Sequence, residues 1–241
     1  MGFWTGAFLT LARAGADLAG PGGAGTDTWE AVGRLGGGAL PAYLATTGAG
    51  LLAGFVTYHA LPTFERWFGR TSDFTLKEMA DPELPLLRRL RREAPGTFYH
   101  SAAVGSLAAS AAEAIRANPV LARVGALYHD IGKLTSPEHF AENVPDPLLR
   151  HRDLPPEESA RVIRSHVETG ETIAAEHRLP PEVRAMMRQH HGRSLIWFFF
   201  HAAREKNPGT EEAGFRYRGP KPQSREAALI MPHAYNTALD G

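Results

Sequence analysis

The sequence predicts an all-α protein, a helical bundle preceded by a transmembrane helix. Beyond residue 65, apolar residues recur at helical spacing in one segment after another. No segment alternates apolar and polar residues in the way that a half-buried strand does. Residues 35–64 contain no Asp, Glu, Lys or Arg, and such a stretch is long enough to span a bilayer.

Residues 1–64 are predicted to form the remnant of a membrane region, with a spanning helix over about residues 38–62. The alternative for this segment is a buried, Gly- and Ala-rich helix of a soluble protein. Residues 2–20 are apolar at first, but Arg13 and Asp17 interrupt them. They therefore look more like a poor copy of a preceding membrane helix than like a cleavable signal peptide.

Residues 65–96 are predicted to form connector helices. Thr71-Ser72-Asp73 offers caps for a short helix, and a basic amphipathic helix follows over 85–94. Arginines are concentrated directly after the predicted spanning helix, starting with Arg66 and Arg70. Because basic residues stay on the cytoplasmic side of a membrane, we expect the main domain to face the cytoplasm.

Residues 97–241 are predicted to form the main helical domain. A long loop rich in Gly and Pro, residues 206–224, separates the last helix from the others, and its residues are solvated by default. Ser194 is taken as the cap of the helix that precedes this loop. The predicted helices before the loop are 97–117, 120–131, 157–177, 181–191 and 194–206.

Composition limits the function classes. The 26 basic and 26 acidic residues cancel, so no global field attracts a polyanion, and we expect no nucleic-acid partner. The absence of cysteine excludes disulfides, thiolate metal sites and a cysteine nucleophile. No glycine-rich phosphate loop opens a helix.

The most informative segment is Tyr128-His129-Asp130-Ile131-Gly132-Lys133. A helix leads into it, and Gly132 is typical of a residue that stops a helix. Imidazole and carboxylate on adjacent helical positions can bind a metal from two sides, and the two oxygens of Asp130 could bridge two ions. Lys133 would then meet a phosphate oxygen. The alternative is a solvated His-Asp pair at a helix end.

Further histidines occur at suggestive positions of other predicted helices. His100 begins an Ala-rich helix, and His166 lies on an apolar stripe. His190 continues another apolar stripe, with His191 beside it. A single inward histidine is usually a satisfied core residue, but four helices that each present one are hard to explain by packing, because unpaired imidazole is costly to bury. Mixed N and O ligands suit Fe, Mn or Zn better than Mg or Ca.

The order His, His-Asp, His, His-His resembles that of the HD-domain phosphohydrolases. The wider match is to the seven-transmembrane-HD family, from about residue 40 onward. This resemblance implies an HD-domain helical bundle that hydrolyses cyclic di-AMP to linear pApA, behind an N-terminally truncated membrane region. A homodimer is a further expectation. The segments that carry the resemblance are residues 93–101, 124–133, 142–143, 165–167, 176–180, 189–195 and 215–228.

The resemblance also implies roles for individual residues. Two divalent ions, Fe or Mn, would share Asp130, which with Lys133 forms the catalytic pair. One ion would be held by His100 and His129, and the other by His166, His190 and His191. The expected substrate contacts are Ser194, Arg216, Tyr217 and Lys221.

One position departs from the family pattern. The family places a final Asp ligand in the last helix, where this chain has Ala234 within Met231-Pro232-His233-Ala234. Pro232 in a helix interior costs roughly 3 kcal/mol. His233, one position away, and the distant Asp240 are the candidate substitutes. The departure leaves three readings: an enzyme of reduced activity, a domain that binds nucleotide and signals without turnover, and a one-metal nucleotidase.

Overall fold

The computed structural model describes residues 27–146 and 150–236, with side chains over 44–65, 67–146 and 150–231. Contacts divide the chain into two compact units, Met1–Phe64 and Glu65–Gly241. The described residues form nine α-helices and no β-strand. The helices are α1 Asp27–Phe68, α2 Asp73–Met79, α3 Pro85–Glu93, α4 Pro95–Ala114, α5 Pro119–Tyr128, α6 Pro156–Glu176, α7 Pro181–Gln189, α8 Trp197–Lys206 and α9 Arg225–Asn236.

Helix α1 contains a segment, Leu44–Glu65, that is long and apolar enough to cross a membrane. Its mean hydropathy reaches 1.2, and none of its length is buried. Large apolar side chains such as Leu51, Phe55 and Tyr58 are exposed along it. Exposed apolar surface of this extent is typical of a helix that contacts lipid or other protein.

Local sequence signals explain where the helices of the second unit begin. The Ser72 side chain caps α2 by accepting a hydrogen bond from Thr75 N, and the Asn118 side chain caps α5 in the same way. Five helices carry Pro in their first turn, where the missing N–H has no intrahelical partner to lose. They are α3, α4, α5, α6 and α7.

Helix α5 is the centre of the second unit, because it packs against α2, α4, α7 and α9. Its side chains Val124, Leu127 and Tyr128 are buried in the main apolar core together with Leu90 and Met187. The Tyr128 hydroxyl also donates to Met79 O at 2.9 Å. The His-Asp pair directly follows this buried helix, so both side chains are placed inside the bundle.

Several predicted helix ends differ from the structure by one to three residues, and two of these differences lie beside the histidine cluster. Helix α5 ends at Tyr128, and Ile131–Thr135 forms a 3₁₀ turn instead of the last helical residues that were predicted. Helix α8 begins at Trp197, three residues later than predicted. The reason is that Leu195 forms an isolated β-bridge with Arg216, and Ile196 N donates to Phe215 O at 3.0 Å.

The 206–224 segment is not the solvated loop that its composition suggested. It contains a 3₁₀ turn, Glu212–Phe215, and the side chains of Phe215 and Tyr217 are buried. These two rings pack in a cluster with Leu195 and Phe200. Burial of these aromatic rings therefore holds the segment against α6 and α8, whereas its Gly and Pro content predicted a solvated loop.

The last helix runs through Pro232 to Asn236, although Pro232 was expected to disrupt it. The side chains of Pro232, His233 and Ala234 lie outside the described residues, as does Asp240. The expectation for the missing carboxylate at Ala234 therefore stays a prediction.

Candidate metal centre

The histidines and the aspartate singled out in the sequence come together in one buried cluster. His100 comes from α4, His129 and Asp130 from the end of α5, His166 from α6, and His190 and His191 from the end of α7. Their ligand-type atoms form two groups that share Asp130, and within each group all atoms lie within 4.8 Å of one another. The groups are His100, His129 and Asp130, and Asp130, His166, His190 and His191.

Asp130 is the hub of this cluster. Its Oδ2 lies 3.1 Å from His129 Nε2. Its Oδ1 lies 3.2 Å from His166 Nε2 and 3.4 Å from His190 Nε2. Two ligand atoms that each lie about 2.1 Å from an ion are at most about 4.2 Å apart, so these separations suit coordination.

Backbone hydrogen bonds orient three of the rings in the same way. His129 Nδ1 lies 2.7 Å from Ala126 O, and His166 and His190 make the equivalent contact, each at 2.6 Å, with the carbonyl three residues earlier. A carbonyl only accepts, so each Nδ1 carries the proton. The Nε2 atom of a neutral ring then points a lone pair into the cluster, as in metal-binding histidines.

The donor set fits a cation. His166 Nε2 and His190 Nε2 face each other at 3.2 Å, and two lone pairs at that distance repel unless a positive charge lies between them. His100 Nε2 is buried and has no hydrogen-bond partner among the described residues. Burial lowers the pKa of His190 to about 4, and burial with the neighbouring histidines lowers the pKa of His191 well below its usual value. Both therefore remain in the neutral form that binds metal.

Asp130 and Lys133 form a buried charge pair beside the histidines. Lys133 Nζ lies 2.9 Å from Asp130 Oδ2, and both side chains are almost fully buried. Burial acts to raise the pKa of Asp130, yet the pKa is held well below its ordinary value, and the adjacent Lys133 ammonium contributes to this lowering. Burial acts to lower the pKa of Lys133, yet the carboxylates of Asp130 and Glu142 raise it.

Glu142 is a residue of this site to which sequence reasoning gave no role. Its Oε1 accepts from Lys133 Nζ at 2.6 Å and from Thr97 Oγ1 at 2.9 Å. Thr97 belongs to the helix that carries His100, so Glu142 links that helix to the turn after Asp130. Gly96 allows the approach, because a Cβ at this position would meet Glu142 O at 1.8 Å. Spacing in the sequence could not reveal a partnership that forms between separate segments.

Gly132 has a different role from the one predicted. The helix already ends at Tyr128, and Gly132 lies within the following 3₁₀ turn. A Cβ at this position would meet His166 O at 1.8 Å and Gly170 N at 2.6 Å. Gly132 therefore permits close backbone packing between the Asp130 turn and α6, which brings His166 to Asp130.

The structure separates the four residues expected to contact substrate. Tyr217 is buried and its ring stacks on that of His191, with centroids 4.0 Å apart. Ser194 is buried next to the cluster, and its Oγ donates to His191 O at 2.8 Å. The Arg216 guanidinium instead forms an ion pair with Glu212, and the Lys221 side chain is exposed.

A pocket of about 320 Å³ opens beside His191 and Tyr217. Three arginines line it that sequence reasoning did not select, Arg164, Arg188 and Arg218. They come from α6, from α7 and from the segment after Tyr217. In the sequence these residues are indistinguishable from ordinary surface arginines, because only the fold brings them to one pocket.

Comparison with known proteins identifies a matching domain family and related proteins. The model of the HD domain family matches residues 97–231. The cyclic-di-AMP phosphodiesterase PgpH of Bacillus subtilis is 43% identical over 185 residues, which are 75% of this chain and 26% of that protein. PgpH of Listeria monocytogenes is 41% identical over 191 residues, 78% of this chain and 27% of that protein. The chain thus spans about a quarter of the length of these relatives.

Solved structures extend the similarity to the fold. The crystal structure of the L. monocytogenes PgpH HD domain in complex with cyclic di-AMP superposes with a TM-score of 0.62 at 42% identity. The match covers 66% of this chain and 74% of that one. A second structure of the same HD domain gives a TM-score of 0.61 at 40% identity.

Proposed function

We propose that this chain, which belongs to the HD domain family, is a metal-dependent phosphodiesterase that opens cyclic di-AMP to linear pApA. The observation that carries the proposal is the convergence of five imidazoles on Asp130, in groups with the composition of metal sites. The identity to cyclic-di-AMP phosphodiesterases over three quarters of the chain supports this choice of substrate.

In this proposal the cluster holds two divalent ions, Fe or Mn. His100, His129 and Asp130 hold one, while Asp130, His166, His190 and His191 hold the other. Bound ions of this kind supply a Lewis acid that offsets phosphate charge and lowers the pKa of water toward neutrality. The preformed Nδ1 contacts with backbone carbonyls keep the imidazoles oriented, so little ordering remains for the moment of binding.

The protein's own groups then act on the phosphodiester. Asp130 keeps its negative charge in a buried site with the help of the Lys133 ammonium beside it. Lys133 is proposed to offset charge that develops on the phosphate oxygens. Glu142 also pairs with the Lys133 ammonium, and the contacts with both carboxylates restrict the position of the ammonium.

Membrane attachment belongs to the same proposal. The Leu44–Glu65 segment would span the bacterial inner membrane, and the arginines that follow it, Arg66 and Arg70, would keep the HD domain in the cytoplasm. We further propose that the protein forms a homodimer and binds no nucleic acid. The proposed divisions of the chain are 1–64, 65–96 and 97–241.

A second candidate rests on Ala234, which stands where the family has its final Asp ligand. With one carboxylate fewer, the domain could bind cyclic di-AMP and signal without turnover. Purified protein is tested for metal content, for cyclic di-AMP binding and for release of pApA, with Asp130→Asn as the inactive control. Binding with two ions and turnover supports the phosphodiesterase, one ion with nucleotidase activity supports a one-metal enzyme, and binding without turnover supports the signalling domain.

A further inference from the structure

The pocket beside His191 is in the right place to receive the part of the substrate that is not being cleaved. His191 lines it, and the same imidazole belongs to the group around Asp130. A phosphodiester held at the cluster would therefore have one of its substituents close to this pocket. Small-molecule sites measure roughly 300–1,000 Å³, so a volume of about 320 Å³ has room for part of a cyclic dinucleotide rather than all of it.

The walls of the pocket combine apolar surface with charged groups of both signs, since Glu168 and Glu171 line it together with the three arginines. Tyr217, Val167 and Pro220 supply apolar surface, as a base or ribose requires. Arg164 and Arg188 are already engaged, since Arg164 donates to Gly214 O at 2.6 Å and Arg188 pairs with Glu171 at 2.9 Å. The two engaged arginines therefore have limited capacity for a further anion.

Arg218 differs from these two arginines. Its side chain is exposed and has neither an ion pair nor a hydrogen bond within the part of the chain that the structure describes. Its backbone is nevertheless fixed on both sides. Tyr217 N donates to Ser194 O at 3.0 Å. A Cβ on Gly219 would meet Arg188 O at 2.3 Å, so this backbone lies tightly against the end of α7.

We propose that this pocket holds the second nucleotide of a cyclic dinucleotide and that Arg218 binds the phosphate that is not cleaved. The inference rests on the proposed function, because it assumes a substrate with two phosphates. A free guanidinium on an anchored backbone can form bidentate hydrogen bonds with a phosphate. Arg218 is thereby a specificity-determining residue, which favours cyclic dinucleotides over simple phosphodiesters.

The test compares two substrates in the full-length chain. Cyclic di-AMP has a second phosphate, whereas bis(p-nitrophenyl) phosphate has only the one that is cleaved. For Arg218→Gln we expect the KM for cyclic di-AMP to rise about tenfold, as for the loss of a charged hydrogen bond, with kcat within about twofold. Hydrolysis of bis(p-nitrophenyl) phosphate should not change. Because Arg218 is exposed, the substitution leaves the core intact.

Arg88→Gln is the matched control, since Arg88 is an exposed arginine on α3 outside the pocket. It should change neither substrate, which excludes a general effect of net charge. An unchanged KM for cyclic di-AMP in Arg218→Gln overturns the inference, and so does an equal loss with both substrates. Wild-type protein that cleaves bis(p-nitrophenyl) phosphate but neither cleaves nor binds cyclic di-AMP contradicts the proposed function itself. If the wild-type protein binds cyclic di-AMP without turnover, the Kd for each of the two compounds is compared between wild type and Arg218→Gln instead.

Discussion

Asp130 combines two demands that are hard to meet together, because it must be buried and must stay ionised. Burial opposes the charge, and the adjacent Lys133 ammonium favours it. A buried carboxylate of this kind attracts a cation strongly, since little solvent screens it. The electrostatics of the site therefore depend on this side chain more than on any one imidazole.

We predict that Asp130→Asn removes activity and most of the bound metal, whereas Lys133→Ala retains metal and slows turnover by about 100-fold or more. Asparagine keeps the shape but loses the charge that both metal groups share. Metal analysis and cyclic di-AMP hydrolysis on the purified variants measure the two effects. Asp153→Asn, a change of the same type at an exposed position, is the control. Full metal content in Asp130→Asn would contradict the assignment.

A second prediction concerns the departure at Ala234. The double substitution Pro232→Leu and Ala234→Asp should raise metal occupancy and rate together, because it supplies the carboxylate that the family places there and improves the helix. Pro232→Leu alone is the control, and it should alter stability without adding a ligand. If the double variant folds and neither quantity changes, Ala234 does not occupy the ligand position and another group, such as His233, has replaced it.

The sequence could indicate which histidines and which aspartate converge in the fold because each carries its signal locally. His166 and His190 stand on apolar helix faces, and His129 and Asp130 follow a buried helix. Glu142 and Arg218 carry no such signal, since charged residues on short segments are usually solvated. The environment of each forms only in the folded chain. Glu142 accepts a hydrogen bond from Thr97, and the backbone beside Arg218 packs at Gly219 against α7.

At the scale of the elements, the 3₁₀ turn Ile131–Thr135 determines how closely Asp130 approaches His166. The all-α class and most helices followed from periodicity and from Pro or Asn at helix starts. The end of α5 could not be predicted in the same way. The chain leaves the α-helix because the Asp130 turn packs directly on the backbone of α6, a long-range contact that local propensity does not contain.

We therefore predict that Gly132→Ala separates this turn from α6. The added Cβ would lie 1.8 Å from His166 O, so the backbone has to move. Overpacking of this kind costs about 3 kcal/mol, which for a domain of this size lowers Tm by roughly 6–12 °C. Metal content should fall as His166 moves away from Asp130. Gly214→Ala is the control because nothing lies within 4 Å of its Cβ. An unchanged Tm and metal content would disprove this role.

At the scale of the whole molecule, carboxylates hold the connector together and join it to the HD domain. Glu65 Oε1 accepts from Ser72 N at 3.0 Å and from Thr75 Oγ1 at 2.8 Å. Both oxygens of Glu182 bind Thr71, at 3.1 Å to its N and 3.0 Å to its Oγ1. All of these groups lie on the HD side of the boundary between the two units. None of these four hydrogen bonds involves a residue of 1–64.

From this arrangement we predict that residues 65–241 fold and retain metal and turnover per site without residues 1–64. The deletion removes the exposed apolar surface of Leu44–Glu65 apart from Glu65 itself, so the shortened protein should be soluble without detergent. Full-length chain should sediment with membranes and resist carbonate extraction. Phe55→Arg in the full-length chain is the matched control, since a charge at the centre of a spanning helix costs about 3 kcal/mol and should shift protein out of the membrane fraction. Full-length chain that stays soluble without detergent would contradict the membrane assignment and leave the metal centre unaffected. A shortened protein that folds yet loses its metal would instead show that the first unit supports the site.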